Sequence, residues 1–557
     1  MFFGLTLSIT PATKAEAALE TKISFDEATP VLNYYDQNSY IFALEKMSDG
    51  VLYQTAVCSG WDDPKCRDGS YTANVIFPVC KTITDQNCIE YLEVTSEKVF
   101  DGTSKLIKTL NPNGLASLKL TSPKGDYQDV KPSGSGLSLF EVPSLTAAGE
   151  VSKFAVKVRI SFSQDGSRAF SATVIPYSDG NTGYSDPEVK EGDISNVPGK
   201  KNIYASNGDP RCVWSEKGAC GIETSFPKGA KIKLSIRVGD FFTPWLHGRL
   251  VEPSFDFTDI DVLQKRLTIT AKPAVISGVS ANIAIAENLK VLQSALCPPM
   301  YRGAFCSGDP ATDIPRFVNQ NGNRYSDSGW TSPFKIFELL EKFFPSRASS
   351  SKETWFFKTV PLSSYPTLSI CANQKTKSPF LGVINTNAIV YDAGGLKFKD
   401  GYLDYTVGGV RSNPDGSDFM GTYDLVLNGE FARCLFGLGE KVPVSATVSI
   451  VSNDTESKVQ TTFFKDDGKW IRFGAYGFTF SSPTFKVKLT QDPSAVAVQT
   501  PTPSVESKVQ EVKPTQTVTT QAIKPVATKK TITCIKGKTS KKLTGLNPKC
   551  PAGYKKK

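Results

Sequence analysis

At 557 residues the chain exceeds what a single hydrophobic core ordinarily fills, so several domains are expected. Hydrophobic residues make up 39% and aromatic ones 11%, which excludes a chain disordered throughout. The net charge of +9 belongs to one end: residues 529–557 carry ten lysines (Lys529, Lys530, Lys536, Lys538, Lys541, Lys542, Lys549, Lys555, Lys556 and Lys557) and no Asp or Glu, so removing them leaves −1 for residues 1–528 and excludes a strongly basic, nucleic-acid-binding body.

The chain opens "MFFGLTLSITPATKAEAALE", with an apolar stretch from Phe2 to Ile9 and a small-residue Ala15-Glu16-Ala17 after which a signal peptidase would cut. A charged leading segment is missing, so residues 1–17 are read as the remnant of a signal peptide whose start lies upstream. No later stretch approaches the roughly 18 apolar residues of a spanning helix. The expected location is therefore secreted or cell-surface.

From Ala18 onward, alternating segments recur: "KFAVKVRISF" (153–162), "FSATVIPY" (170–177), "KIKLSIRV" (231–238), "VSATVSIVS" (444–452) and "TFKVKLT" (484–490). Apolar residues at every second position put one face in a core and the other toward water. Turn signals such as Asp165-Gly166, Asp179-Gly180, Asn207-Gly208 and Asp415-Gly416 separate them. One helix stands out, "PFKIFELLEKF" over 333–343, with Ser332 as N-cap, Pro333 first and Pro345 closing it. The expected class is all-β, with two to three β-sandwich-like domains and few helices. The boundaries expected are 18–195, 196–296 and 297–490, the last carrying the helix.

Beyond Leu489 the composition turns to Pro, Thr, Val and Gln, with no aromatic residue between Phe485 and Tyr554. Residues 491–528 cannot bury a core and read as a disordered stalk. Their 38 residues would reach on the order of 120 Å at about 3.1 Å each.

Twelve cysteines, an even number in an apparently exported chain, read as disulfides. Seven residues separate Cys58 from Cys66, Cys80 from Cys88 and Cys212 from Cys220, and eight separate Cys297 from Cys306. The intervening stretches are turn-formers, so sequential pairing is predicted, with Cys371–Cys434 and Cys534–Cys550 completing the set. In the loop-entropy view each small ring restricts the unfolded chain by about 2.5 kcal/mol and Cys371–Cys434 by roughly 4 kcal/mol. Zinc, the competing reading, lacks its usual C-x2–4-C spacing and histidine partners.

Candidate chemistry is sparse. His247, the only histidine, lies in "WLHGR" beside Trp245 and Arg249; a lone histidine with no constellation around it reads as structural. "SDSGW" (326–330) echoes a serine-protease motif but places Trp330 where a glycine belongs, and no G-x-S-x-G elbow occurs. Paired carboxylates for sugar hydrolysis would come from Asp256, Asp259 or Asp261, which alternation sends to a solvated face. Structural calcium is conceivable at Asp179, Asn181 and Asp186, or at Asn413, Asp415 and Asp418, where oxygen ligands alternate in tight loops. No other cofactor, no catalytic residue and no metal ligand is assigned.

The tail is the strongest functional signal. Ile532, Ile535, Leu543, Leu546 and Tyr554 are too few to hold a fold, so a Cys534–Cys550 staple is expected around a hairpin turning near Gly537. The ten lysines would then ride on a small closed module and attract anionic envelope polymers in a salt-dependent way.

The blocks "TPWLHGRLVEP" (243–253), "DGYLDYTVGG" (400–409), "GTYDLVLNGEFARCLFG" (421–437), "AYGFTFSSPTFKVKL" (475–489) and the closing "ITCIKGKTSKKLTGLNPKCPAGYKKK" resemble large exported proteins of free-living actinobacteria. The resemblance covers roughly residues 230–490 and the tail, whose Lys-rich, two-cysteine ending is its most specific part. It implies compartment and modularity and carries no activity. Two functions are weighed: a non-catalytic surface or wall-associated protein, adhesive, ligand-binding (an extracellular glycan or protein) or structural, tethered by its tail; and a secreted carbohydrate-active hydrolase using paired carboxylates.

Overall fold

The computed structural model describes residues 20–25, 34–110 apart from 49 and 68, 132–284 apart from 133, 163–167, 195–196, 240–244 and 261–263, then 288, 290–291, 333–359, 370–371, 380–439 apart from 392–396, 444–451, 461–491 apart from 481–483, 530–545 apart from 537–538, and 555–556. Strands dominate and helices are few and short. The chain divides into two compact units, Met1–Pro503 and Ser504–Lys557.

The first unit begins with β1 (Glu20–Phe25), α1 (Tyr34–Gln37), β2 (Tyr40–Lys46), β3 (Leu52–Val57), α2 (Pro64–Arg67), β4 (Ser70–Ile76), β5 (Cys88–Thr95), β6 (Lys105–Thr109), β7 (Ser138–Glu141), α3 (Pro143–Ala147), β8 (Lys153–Phe162), β9 (Arg168–Asn181) and β10 (Val189–Asp193). It continues with β11 (Lys201–Ala205), β12 (Cys212–Glu216), β13 (Ala219–Glu223), β14 (Lys231–Val238), β15 (Trp245–Asp259) and β16 (Lys265–Ala284). After α4 (Pro333–Leu340) and a 3-10 turn over Glu341–Phe343 come β17 (Ser350–Thr359), β18 (Gly382–Thr386), β19 (Val390–Tyr391), β20 (Lys397–Lys399), β21 (Tyr402–Gly408), β22 (Gly421–Asn428), α5 (Gly429–Phe436), β23 (Val444–Val451), β24 (Thr461–Asp466), β25 (Trp470–Phe478) and β26 (Thr484–Gln491).

One ribbon runs β3–β2–β4–β8–β9–β17–β15–β18–β22–β25–β24, antiparallel throughout except for the parallel β15–β18 pair. A second layer runs β5–β14–β16–β15. β15 belongs to both: Trp245–Arg249 lie between β17 and β18, and from Leu250 onward the strand pairs with β16. The change of sheet is made at a bulge between Val251 and Ser254, where Glu252 adopts a left-handed φ of 51°. These pairings cross the boundaries expected at 195/196 and 296/297. β14 bonds to β5, β17 to β9 and to β16, and β1 to β16, so the three stretches share one hydrogen-bonded network.

The ribbon is buried on both faces, and its alternation sorts side chains between two cores. Trp245, Ile384, Tyr423 and Leu425 enter one; Leu246, Val383 and Val426 enter the other. Such strands read as nearly continuous apolar runs, as in "GTYDLVLN". The second layer has one polar face, hence the clean alternation of "KIKLSIRV".

Four disulfides join in the order of the sequence: Cys58–Cys66 around α2, Cys80–Cys88 before β5, Cys212–Cys220 across the β12–β13 hairpin, and Cys371–Cys434 into α5. Their Cα separations of 6.2, 5.1, 5.7 and 5.7 Å all fall in the range a disulfide takes. Cys297, Cys306 and Cys550 lie outside the described residues, as do Ser332, residues 1–17 and the stalk at 491–528. Among the described residues no helix is long and apolar enough to cross a membrane.

Candidate functional site

The tail unit is a three-stranded antiparallel sheet of β27 (Lys530–Lys536), β28 (Thr539–Gly545) and β29 (Lys555–Lys556), with β27 in the middle. In register, Cys534 is opposite Lys541 on one side and Lys556 on the other; Thr533 faces Lys542 and Ile535 faces Lys555. With strands about 4.8 Å apart, lysines two strands apart bracket Cys534 at roughly 10 Å. Residues 529–557 contain no acidic side chain to offset them, so the unit is a compact source of positive potential. Gly537, Lys529, Lys538, Lys549 and Lys557 lie outside the described residues.

The loops singled out for calcium are turns whose polar atoms serve the chain. Asp179 pairs with Lys153, Asn181 sits in β9 opposite Ala219, and Asp186 accepts the Lys217 N–H at 2.6 Å. In the other loop Asn413 bonds Ser277 and Ser417, Asp415 accepts the Ser417 N–H at 2.9 Å, and the Asp418 carbonyl accepts from Asn413. Among the described residues no three Asp, Glu, His or Cys side chains converge. Asp256 and Asp259 are exposed and pair with Lys469 and Lys265, while Phe255 and Phe257 between them are buried, as alternation requires. Asp261 and the "SDSGW" motif lie outside the described residues.

His247 is 1% exposed and stacks on Tyr391 with ring centroids 3.6 Å apart. Burial, reinforced by the positive charges of Arg249 and Lys358, pushes its pKa well below the usual imidazole range, so the ring is neutral. Neither nitrogen has a hydrogen-bond partner among the described residues. Arg249, 1% exposed, donates to the carbonyls of Thr386, Ala388 and Ile389 and fastens the end of β18 to β19. The pair is packing and fastening, in keeping with the structural reading of a lone histidine.

On the other face of the same strands lies a polar row that sequence reasoning missed. Gly248, Asn385, Asp424 and Gly474 are successive partners across β15, β18, β22 and β25. A Cβ on Gly248 would come within 2.0 Å of Asn385 Oδ1, and one on Gly474 within 2.7 Å of the Tyr476 hydroxyl. The two glycines therefore leave the space into which Asn385 and Tyr476 lean. The Tyr476 hydroxyl donates to Asp424, whose carboxyl also meets the backbone N–H of Glu252 at the bulge. Burial raises the Asp424 pKa to about 7, more than those two donors offset. Glycine in the middle of "WLHGRL" and "RFGAYGF" was the available signal, since a strand interior tolerates Gly mainly where something approaches closely.

No protein-family model, no curated protein and no solved structure matches the chain.

Proposed function

We propose that this is an exported, envelope-associated, non-catalytic protein: a disulfide-stapled β body of sandwich-like character, ligand-binding, adhesive or structural, tethered through its basic tail to anionic surface polymers. The supporting observation is charge segregation: ten lysines and no acid in residues 529–557, against a balance of −1 in all the rest. Four joined cysteine pairs in the body fit an oxidising compartment. Attraction between a clustered cation and a polyanion weakens with salt because the Debye length shrinks from about 10 Å at 0.1 M to about 3 Å at 1 M.

The test is retention of the full chain and of a chain lacking residues 529–557 on cells, washed at 0.05 and 1 M NaCl. The full chain should be held at low salt and released at high salt, and the truncated chain lost at both. Equal, salt-insensitive retention of the two would overturn the reading.

A further inference from the structure

The loop that the sequence marked for a cation presents a cation of its own. Asp209 is inaccessible to solvent, yet its partner Arg211 remains 63% exposed. The carboxylate accepts from Arg211 Nε at 3.0 Å, Arg211 Nη2 at 2.6 Å and the Arg211 backbone N–H at 3.0 Å, with the Gly183 N–H at 3.4 Å. These donors, the Arg211 side chain foremost, hold Asp209 well below the usual carboxylate range. The Asp209 carbonyl in turn accepts the N–H of Cys212, which is stapled to Cys220. An enclosed carboxylate is thus devoted to fixing the plane of a surface guanidinium. Its Nε–Nη2 edge is engaged and its Nη1 end faces water, with no partner for Nη1 among the described residues.

Beside it stands Tyr184, 59% exposed and close enough for its hydroxyl to act on the Arg211 guanidinium. Its backbone is not free to move with the ring. The Tyr184 N–H donates to Thr182 Oγ1 at 3.0 Å, and the Thr182 N–H donates to the Gly218 carbonyl at the tip of the β12–β13 hairpin. Both side chains are therefore held before any partner arrives, which removes the ordering entropy that long exposed side chains otherwise lose on binding.

We infer that Arg211 and Tyr184 form a preorganised two-point site for an acidic saccharide, the guanidinium end taking a carboxylate or phosphate and the tyrosine ring taking the apolar face of the sugar. Parallel N–H groups on one guanidinium match the two oxygens of a planar or tetrahedral oxyanion. A tyrosine ring supplies a flat apolar face with a polar tip. Asp209 already offsets much of the Arg211 charge, so a bare anion gains little and the ring contact is needed as well. The inference deepens the ligand-binding part of the proposed function and is independent of the tail.

Calorimetric titration of the full chain with glucuronate, glucose 6-phosphate and methyl glucoside, at fixed ionic strength, tests it. Wild type should bind at least one of the acidic sugars and not the neutral one. Glucuronate binding alone identifies a carboxylate ligand, and glucose 6-phosphate binding alone a phosphate. R211K, which keeps the charge and loses the fork, and Y184A, which removes only an exposed ring, should each weaken binding at least tenfold. Both variants should unfold within a degree of wild type. The tail is present in all three proteins, so any affinity of its lysines cancels in the comparison. Equal affinity in wild type and both variants, equal affinity for methyl glucoside, or no binding by wild type would each overturn the inference. Failure here leaves the salt-wash result of the tail deletion unaffected.

Discussion

The second layer and the corner of β15 each enclose an acidic side chain, and they hold it by opposite means. In the layer, Glu90 lies between two arginines: it accepts from Arg237 Nε at 2.7 Å, from Arg266 Nε at 2.5 Å and Nη2 at 2.8 Å, and from Ser235 Oγ at 2.7 Å. Burial would raise its pKa, but the bonds from Arg266, Arg237 and Ser235 prevail and hold it at about 2. At the corner, Asp424 has a phenol and a backbone N–H and is left near 7. Burial acts the same way on both. The presence of a cation in bonding reach decides the sign of the outcome.

The largest effect should come from removing the Glu90 charge. Arg237 and Arg266 are direct partners across β14 and β16, so E90Q leaves two guanidinium groups facing each other without their anion. Arg237 also donates through Nη1 to the carbonyls of Thr82, Ile83 and Asp85, which ties the Cys80–Cys88 loop to the sheet. Breaking a buried ion pair from one side should lower unfolding stability by about 4 kcal/mol at pH 7. Denaturant titration measures the loss, and faster amide exchange in residues 81–87 should accompany it. Wild type itself keeps the Glu90 contribution above pH 4.5 and loses it as pH falls toward 2, because the folded pKa lies below the model value of 4.5. A loss under 1 kcal/mol would show that the arginines are stabilised by solvent instead.

Asp424 should give the opposite slope. Its folded pKa of about 7 lies above the 3.8 of the free side chain, so its contribution is complete below pH 3.8 and is lost as pH rises through 7. The span corresponds to a destabilisation on the order of 3 kcal/mol. D424N keeps an acceptor for Tyr476 but cannot ionise. Its melting temperature should stay level between pH 4 and 8 apart from other groups, and exceed that of wild type at pH 8. Calorimetry across that range decides, since an unchanged slope in D424N would assign the pH dependence elsewhere.

The contrast between these acids shows what a sequence can and cannot disclose. Alternation marked β8, β14 and β26 because period two is a local property, and the Cys-x7-Cys spacing disclosed three staples because the partners are near neighbours. The helix at 333–343 was framed by Pro333 and Pro345, although its last turn is 3-10. Glu90 is 147 residues from Arg237 and 176 from Arg266, and no local pattern encodes that register. For the same reason the expected boundaries near 195 and 296 fall inside a network that β14–β5 and β17–β9 close. Asp209 and Arg211 are only two residues apart, in "GDPRC", and their pairing was open to inspection. The loop was read for its acids instead, and its arginine passed unnoticed.

The smallest effect belongs to the bulge itself, where the backbone and charge of Glu252 pull in different directions. Its φ of 51° is a conformation that glycine adopts without strain, so E252G should relieve the backbone by up to about 1 kcal/mol, partly offset by a more flexible unfolded chain. The Glu252 carboxylate pairs with Lys272 at 2.8 Å and adds to the upward push on Asp424. Losing it should move the Asp424 titration to slightly lower pH while the N–H that meets Asp424 stays in place. E252Q removes the same charge and keeps the strained backbone. If charge governs the corner, both variants shift the pH at which stability begins to fall, and E252G alone raises stability at pH 4. If E252Q leaves the midpoint where wild type has it, the elevation at Asp424 comes from burial alone, and the contrast with Glu90 reduces to the two arginines.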